Sequence, residues 1–328
     1  MKTGNRIIIA GGAGFLGQRL AQHFLHAGWE VVILSRSPMP ASGIGRWSVW
    51  DARTPGPWEQ ELEGADAVIN LTGRSVNCRY TPRNRQEILN SRVDSTRIIG
   101  EAIHRCSQLP RVWLNASTAT IYRHTFGNAW DEAGEIAATP EAKDRFSVDV
   151  AQAWEEALSN APTPKTRKVT LRMAMVLGVG TNSVFPALRR LTLLGLGGKM
   201  RSGEQFVSWI HETDYCRAVE WLIGHSDVEG VFNIAAPNPL TNVEMMRVLR
   251  QVCGVRVGLP APRWMLELGA IFLRTETELI IKSRRVVPRR LLESGFTFEF
   301  PNIRHAFEEL TNRKPEHAYE IRTPLAPT

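Results

Sequence analysis

Residues 7–28 read IIIAGGAGFLGQRLAQHFLHAG, and few stretches restrict a fold more tightly. An apolar run ends in glycines, and a helical pattern begins at Phe15. Gly11, Gly14 and Gly17 stand at GxxGxxG spacing between the two. Gly11 permits the tight turn, Gly14 lets backbone approach a pyrophosphate, and Gly17 lets helix and strand pack closely. The helix N-terminus offers that anion unpaired N–H groups and a positive dipole end. Gly11, Gly12, Gly14, Phe15, Leu16 and Gly17 are therefore candidate cofactor-binding residues.

The first half continues the same alternation. Apolar runs at 6–10, 30–35, 46–50, 66–71, 111–116 and 168–177 are continuous rather than alternating, as in parallel strands covered on both faces. Helical spacing fills 15–27, 83–107 and 146–160. Repeated strand–helix units imply right-handed crossovers and an α/β, doubly wound parallel sheet of the Rossmann kind. After residue 178 the pattern loosens, with strands expected near 206–210 and 230–235. The expected division is a Rossmann domain over 1–180, to which 206–236 returns, and a smaller α/β substrate domain over 181–328. A C-terminal module at about 256–311 belongs to the latter.

Composition excludes several classes. The chain has 328 residues, 43% hydrophobic and 22% charged, as in an ordinary globular protein. No run approaches the roughly 20 apolar residues of a membrane span. The greasiest stretch, 264–273, is short and contains Glu267. The N-terminus runs straight into a strand without a cleavable signal pattern. Four dispersed cysteines show no metal or redox spacing, so reduced thiols, a cytoplasmic setting and no metal are expected. The net charge is +7, and its one basic cluster, KSRRVVPRR at 282–290, reads first as a solvated face. Its second reading is a grip on an anionic small-molecule substrate. No nucleic-acid-binding motif accompanies it.

Cofactor choice is legible at the second strand. About 20 residues beyond the glycines an NAD site usually places an acid on the ribose hydroxyls. Here Ser35 and Arg36 stand in that place. A guanidinium can pair with a 2′-phosphate and a hydroxyl can donate to it, so NADP(H) is the expected cofactor.

With those motifs placed, the chain resembles the extended short-chain dehydrogenase/reductases. It is most similar to an epimerase-like branch that ends in a short C-terminal module of uncharacterised function. The marks are GGAGFLG, LSR, DAVINLTG, SRVDSTR, WEEAL, LRMAMVLG, SWIHETD and NIAAPNPLTN, followed by VVPRRLLESGFTFEFPNIRHAF. The resemblance implies that Leu71, Thr72 and Gly73 lie beside the cofactor, that Glu87 and Arg92 contact it, and that Val176 meets its nicotinamide end. It aligns Thr118 with the family's catalytic hydroxyl and Ser117 as the neighbouring alternative; either also suits backbone capping at a strand end. His211 and Asp214 suit both substrate orientation and helix capping.

The same alignment exposes a gap. The superfamily's catalytic Tyr falls on Ser147 and its Lys on Ala151. No tyrosine of this chain has a lysine four residues on. A positioned acid contributes about 10²–10⁴-fold, whereas aligning hydride donor and acceptor contributes roughly 7–11 kcal/mol. The sequence thus points to an NADP(H)-dependent oxidoreductase working without that pair. A nucleoside-diphosphate-sugar epimerase or dehydratase, and a non-catalytic NADPH-binding regulator, are the alternatives.

Overall fold

A computed structural model describes residues 4–40, 43–180, 182–261 and 282–313. The apolar stretch 264–273 and part of the C-terminal module lie outside the described residues.

The first half builds β1 (Arg6–Ala10), α1 (Phe15–His26), β2 (Glu30–Ser35), β3 (Arg46–Val49), β4 (Ala67–Asn70), α2 (Pro82–Arg105), β5 (Val112–Thr118), α3 (Arg145–Ser159) and β6 (Arg167–Met173). A seven-stranded, wholly parallel sheet results, in the order β10-β6-β5-β4-β1-β2-β3. Its edge strand β10 (Gly230–Ile234) comes from the second half of the chain. The fold is the expected Rossmann-like α/β sheet. Alternate side chains of one strand serve opposite faces. Ile7 and Ile9 pack with Phe24 of α1 and with Tyr215 and Val219 of α5 (Glu212–Gly224). Ile8 and Ala10 pack with Ile99 and Ile103 of α2 and Leu158 of α3. Both faces are covered, which is why the strands read as unbroken apolar runs.

The run 168–177 is two strands, not the expected one. It breaks at Ala174, and β7 (Met175–Leu177) pairs instead with β9 (Trp209–His211). The backbone N–H of Ala174 donates to Ile234 and that of Met175 to Ser208, so the partner changes within one residue. The expected strand at 206–210 likewise divides into β8 (Phe206–Val207), paired with β11 (Leu240–Thr241), and β9.

A second core gathers α4 (Val184–Leu193), α6 (Asn242–Val252) and α8 (Ile303–Asn312), with α7 (Arg289–Glu293) lying against the sheet. Phe185 of α4 stacks on Phe307 of α8 at 5.8 Å. His211 and Asp214 do the structural work of joining this region to α5. His211 caps α5 through Thr213 N and meets Glu309 at 3.0 Å. The Asp214 carboxylate accepts the N–H groups of Glu299 and Phe300, each at 2.8 Å.

Candidate cofactor and substrate site

The glycine loop sits at the carboxyl edge of β1. Gly11 has φ +77, and a Cβ there would come within 2.9 Å of the backbone of Leu71 and Thr72. A Cβ at Gly17 would lie 2.4 Å from Gly12, so α1 presses directly on the loop. Gly14, by contrast, faces space, its added Cβ meeting only the Gly11 carbonyl at 3.6 Å. Gly14 is also the N-cap of α1, which has no side-chain cap and no acid in its first turn. Its N–H groups are left for an anion. Phe15 and Leu16 turn their side chains to the protein, Phe15 against Gly180 and Leu16 against the core.

Beyond β2, a pocket is lined by Arg36, Val49, Trp50, Asp51, Thr54, Pro55, Gly56, Pro57 and Trp58. Ser35 is buried with its hydroxyl accepting Ser37 N at 3.2 Å, while Arg36 is exposed at the rim. Sequence reasoning missed the far wall of this pocket, although WDARTPGPW carried a turn signal. Asp51 accepts the N–H groups of Thr54 and Arg53 and the Thr54 hydroxyl. Those bonds, Thr54's foremost, hold its carboxyl below the usual range. The one carboxylate lining the pocket is thereby committed to its own turn.

At the end of β4 the Thr72 N–H donates to Asn70 Oδ1 at 3.0 Å. Thr72 Oγ1 is buried and makes no hydrogen bond among the described residues. An orphaned hydroxyl beside an open glycine cradle suits the ribose and phosphate oxygens of a dinucleotide. Arg92 packs its guanidinium on Gly73, where a Cβ would lie 3.1 Å from Cζ. It lies over Trp154 at 5.0 Å and donates to the carbonyls of Ile88 and Arg74. Burial pushes its pKa down to about 10, which leaves it charged at neutral pH. Glu87 pairs with Arg83 and Arg74, which hold its carboxyl below the usual range. Through Arg74 it ties α2 to the loop that follows β4.

The second part of the candidate site begins where β5 ends. Thr118 caps a 3-10 turn, its Oγ1 accepting Thr120 N at 3.1 Å, and stays half-buried. Ser117 is buried and donates to Glu155 Oε1 at 2.6 Å. That carboxylate is gripped by Arg172, which also donates to the Tyr122 hydroxyl at 2.9 Å. Tyr122 in turn donates to Asn233 Oδ1 at 2.8 Å, and burial pushes its phenol up to about 12. Ser117 thus belongs to a satisfied network, while the Thr118 O–H donates to no group among the described residues. Val176 lies in β7, half-buried and registered with Ile210.

On α3, Ser147 is half-buried, but Ala151 is fully buried. Ala151 lies in an apolar cluster with Ala119, Ile121, Tyr122 and Val286. The slot of the absent lysine is filled with hydrocarbon. No group of His, Cys, Asp and Glu able to hold a metal occurs among the described residues.

The basic run 282–290 is not the solvated face expected of it. Lys282 is fully buried against Asp144, and Arg284 donates to Thr120 Oγ1 at 3.2 Å. Arg285 donates to the Gly127 carbonyl and lies over Phe206, and Arg289 pairs with Asp131. Arg290 donates to Val231 and Glu229 carbonyls and lies over Phe232. The segment is a strap across the sheet's β5 and β10 side. Its partners are backbone carbonyls, side chains and rings mostly distant in sequence, so local composition could not show them.

A parallel sheet with a glycine cradle at its carboxyl edge and a strap over its β5 and β10 side defines a Rossmann-type fold of the epimerase-like kind. The comparisons agree. The model of the NAD dependent epimerase/dehydratase family matches residues 7–235, and a domain of unknown function, DUF1731, matches residues 261–310. The chain belongs to the NAD dependent epimerase/dehydratase family and carries that C-terminal module. The human epimerase family protein SDR39U1 is 30% identical over 93% of this chain and 99% of its own. YfhF of Bacillus subtilis is 29% identical over 93% of this chain and 97% of its own. The crystal structure of human SDR39U1 (isoform 2) with NADPH superposes with a TM-score of 0.81 at 28% identity, covering 94% of this chain and all of that one. A UDP-N-acetylglucosamine 4-epimerase from Bacillus cereus shares the fold, with a TM-score of 0.72 at 19% identity over 93% of this chain and 98% of its own.

Proposed function

We propose that this protein is an NADP(H)-dependent oxidoreductase that reduces an easily reduced small molecule without a Tyr/Lys pair. The observation that carries the reading is the pocket beyond β2. Arg36 stands at its rim, and its one carboxylate, Asp51, is engaged by Thr54 and Arg53 rather than left for a ribose diol. The NADPH bound by the human relative supports the same choice of cofactor.

When bound, the cofactor supplies a hydride to the acceptor carbon. The residues of this chain do the rest. The glycine loop, Thr72 and Arg92 hold the dinucleotide, and Thr118 presents its O–H to the heteroatom that gains a proton, replenished from solvent. A conjugated or imine-like acceptor asks least of so weak an acid. The strap's basic side chains are engaged with the protein, so they argue against an anionic grip there.

A second reading has its own support. The filled slot at Ala151 and the committed Ser117 also suit an NADPH-binding regulator that does no chemistry. Fluorescence titration with NADPH and NADH, followed by NADPH consumption against enones and imines, separates the two. Tighter NADPH binding with turnover of at least one acceptor is expected. Tight binding with no oxidation across the panel would hand the function to the regulatory reading. Turnover of a sugar nucleotide on a non-exchanging NAD(H) would overturn both.

A further inference from the structure

We propose that Lys282, carried by the C-terminal strap, is a positioning residue for the Thr118 hydroxyl and acts through Thr120. The proposal rests on the reading of Thr118 as the hydroxyl that meets substrate.

Thr120 is held at all three of its polar groups. Its N–H donates to Thr118 Oγ1 at 3.1 Å, its carbonyl accepts from Lys282 Nζ, and its hydroxyl accepts from Arg284 Nη1 at 3.2 Å. The strap is seated on the same turn by two further bonds. Ser283 N donates to His124 Nδ1 at 2.8 Å, and Thr125 N donates to the Ser283 carbonyl at 3.4 Å. Lys282 and its partner Asp144 are both fully buried, and Asp144 is the N-cap residue of α3. The other carboxylate oxygen of Asp144 accepts Thr139 N at 2.8 Å.

The direction of Thr118's O–H follows from this arrangement. A hydroxyl has one proton and two lone pairs, and accepting from Thr120 N fixes where one lone pair points. The donor belongs to the 3-10 turn Ala119–Ile121, an element with poor hydrogen-bond geometry of its own. Lys282 and Arg284 hold that turn from its far side. An apolar pair would attach the module as firmly, because desolvation offsets most of what a buried ion pair gains. An ammonium does what an apolar group does not: it donates to the Thr120 carbonyl while its charge pairs with the Asp144 carboxylate. The charge is thus accounted for by geometry at Thr120.

The test replaces both members of the pair, as Lys282→Met with Asp144→Asn, since asparagine still accepts Thr139 N. Amide hydrogen exchange at Thr120, followed by NMR, needs no turnover. It should speed up by about tenfold or more while the β5 amides stay protected. NADPH affinity should not change. In the acceptor assay the double variant should be slowed, and adding Thr118→Ala should slow it no further than Thr118→Ala alone, as coupled residues do. Unchanged Thr120 exchange, or additive losses with Thr118→Ala, would overturn the relay. Full activity of Thr118→Ala would instead overturn the hydroxyl reading, and the exchange data tell that failure from the first.

Discussion

Arg172 holds Glu155 through two parallel hydrogen bonds, Nε to Oε1 at 2.8 Å and Nη2 to Oε2 at 2.7 Å, tying β6 to α3 beside the substrate side. The pair is nearly shut off from water. Burial alone would lower the Arg172 pKa; Glu155 raises it well above its ordinary value. Breaking one side strands the other charge, so Arg172→Leu should cost about 3–5 kcal/mol. Arg172→Leu with Glu155→Leu should recover much of it. Urea denaturation measures both, and a single-variant loss under about 1 kcal/mol would refute the account.

Arg36→Ala should weaken NADPH binding by about 1.5–3 kcal/mol and leave NADH almost untouched, because only the 2′-phosphate distinguishes them. Fluorescence titration decides it. Equal weakening of both cofactors would remove Arg36 from the phosphate.

Arg92→Ala should behave differently, weakening NADPH and NADH together. Its guanidinium packs on Gly73 beside Thr72 and does not line the pocket that Arg36 lines. Arg92→Lys should restore little, since an ammonium cannot reproduce the guanidinium's several donors while lying over Trp154. Unchanged affinities in Arg92→Ala would leave this residue a purely structural role.

Rebuilding the family pair by Ser147→Tyr with Ala151→Lys should not create a better enzyme. Ala151 is fully buried among Ala119, Ile121, Tyr122 and Val286, so a lysine there is overpacked and desolvated. Overpacking alone costs typically about 1–3 kcal/mol. A lowered melting temperature with no gain in NADPH turnover is expected. A stable, faster double variant would contradict the packing seen here.

Acid should loosen the attachment of α8. Burial tends to raise the Glu309 pKa, but His211 and Arg313 outweigh it and hold the carboxyl below its ordinary 4.5. A depressed folded-state pKa stabilises above the unfolded value, and that contribution is lost as pH falls through the folded one. Glu309→Gln should therefore flatten the fall in melting temperature below about pH 4.5. An unaltered acid limb would show that this carboxylate contributes nothing there.

The elements whose signals are local were legible in the sequence. GGAGFLG fixes its own turn, and unbroken apolar runs announce strands covered on both faces. Whatever depended on distant partners was not. The run 168–177 gives no sign that Ala174 turns to Ile234 and Met175 to Ser208. Ser117 and Thr118 look alike in sequence; what separates them is Glu155, which lies on another element. Asp51 escaped notice because a carboxylate in a turn and one in a ligand site look the same until its partners are known.

The reach of the strap has a consequence for how the protein is made. The contact from Lys282 to Thr120 spans 162 residues. Long-range pairings of this kind form late, because chain closure comes before any gain from the contact. On a ribosome adding roughly 5–20 residues per second, the turn at Thr120 and the Asp144 carboxylate emerge on the order of ten seconds before their clamp. A nascent chain halted in that interval carries a complete glycine loop and a turn at Thr120 without its clamp. The glycine loop can therefore take its shape early, whereas the turn at Thr120 gains its clamp only once the strap has emerged.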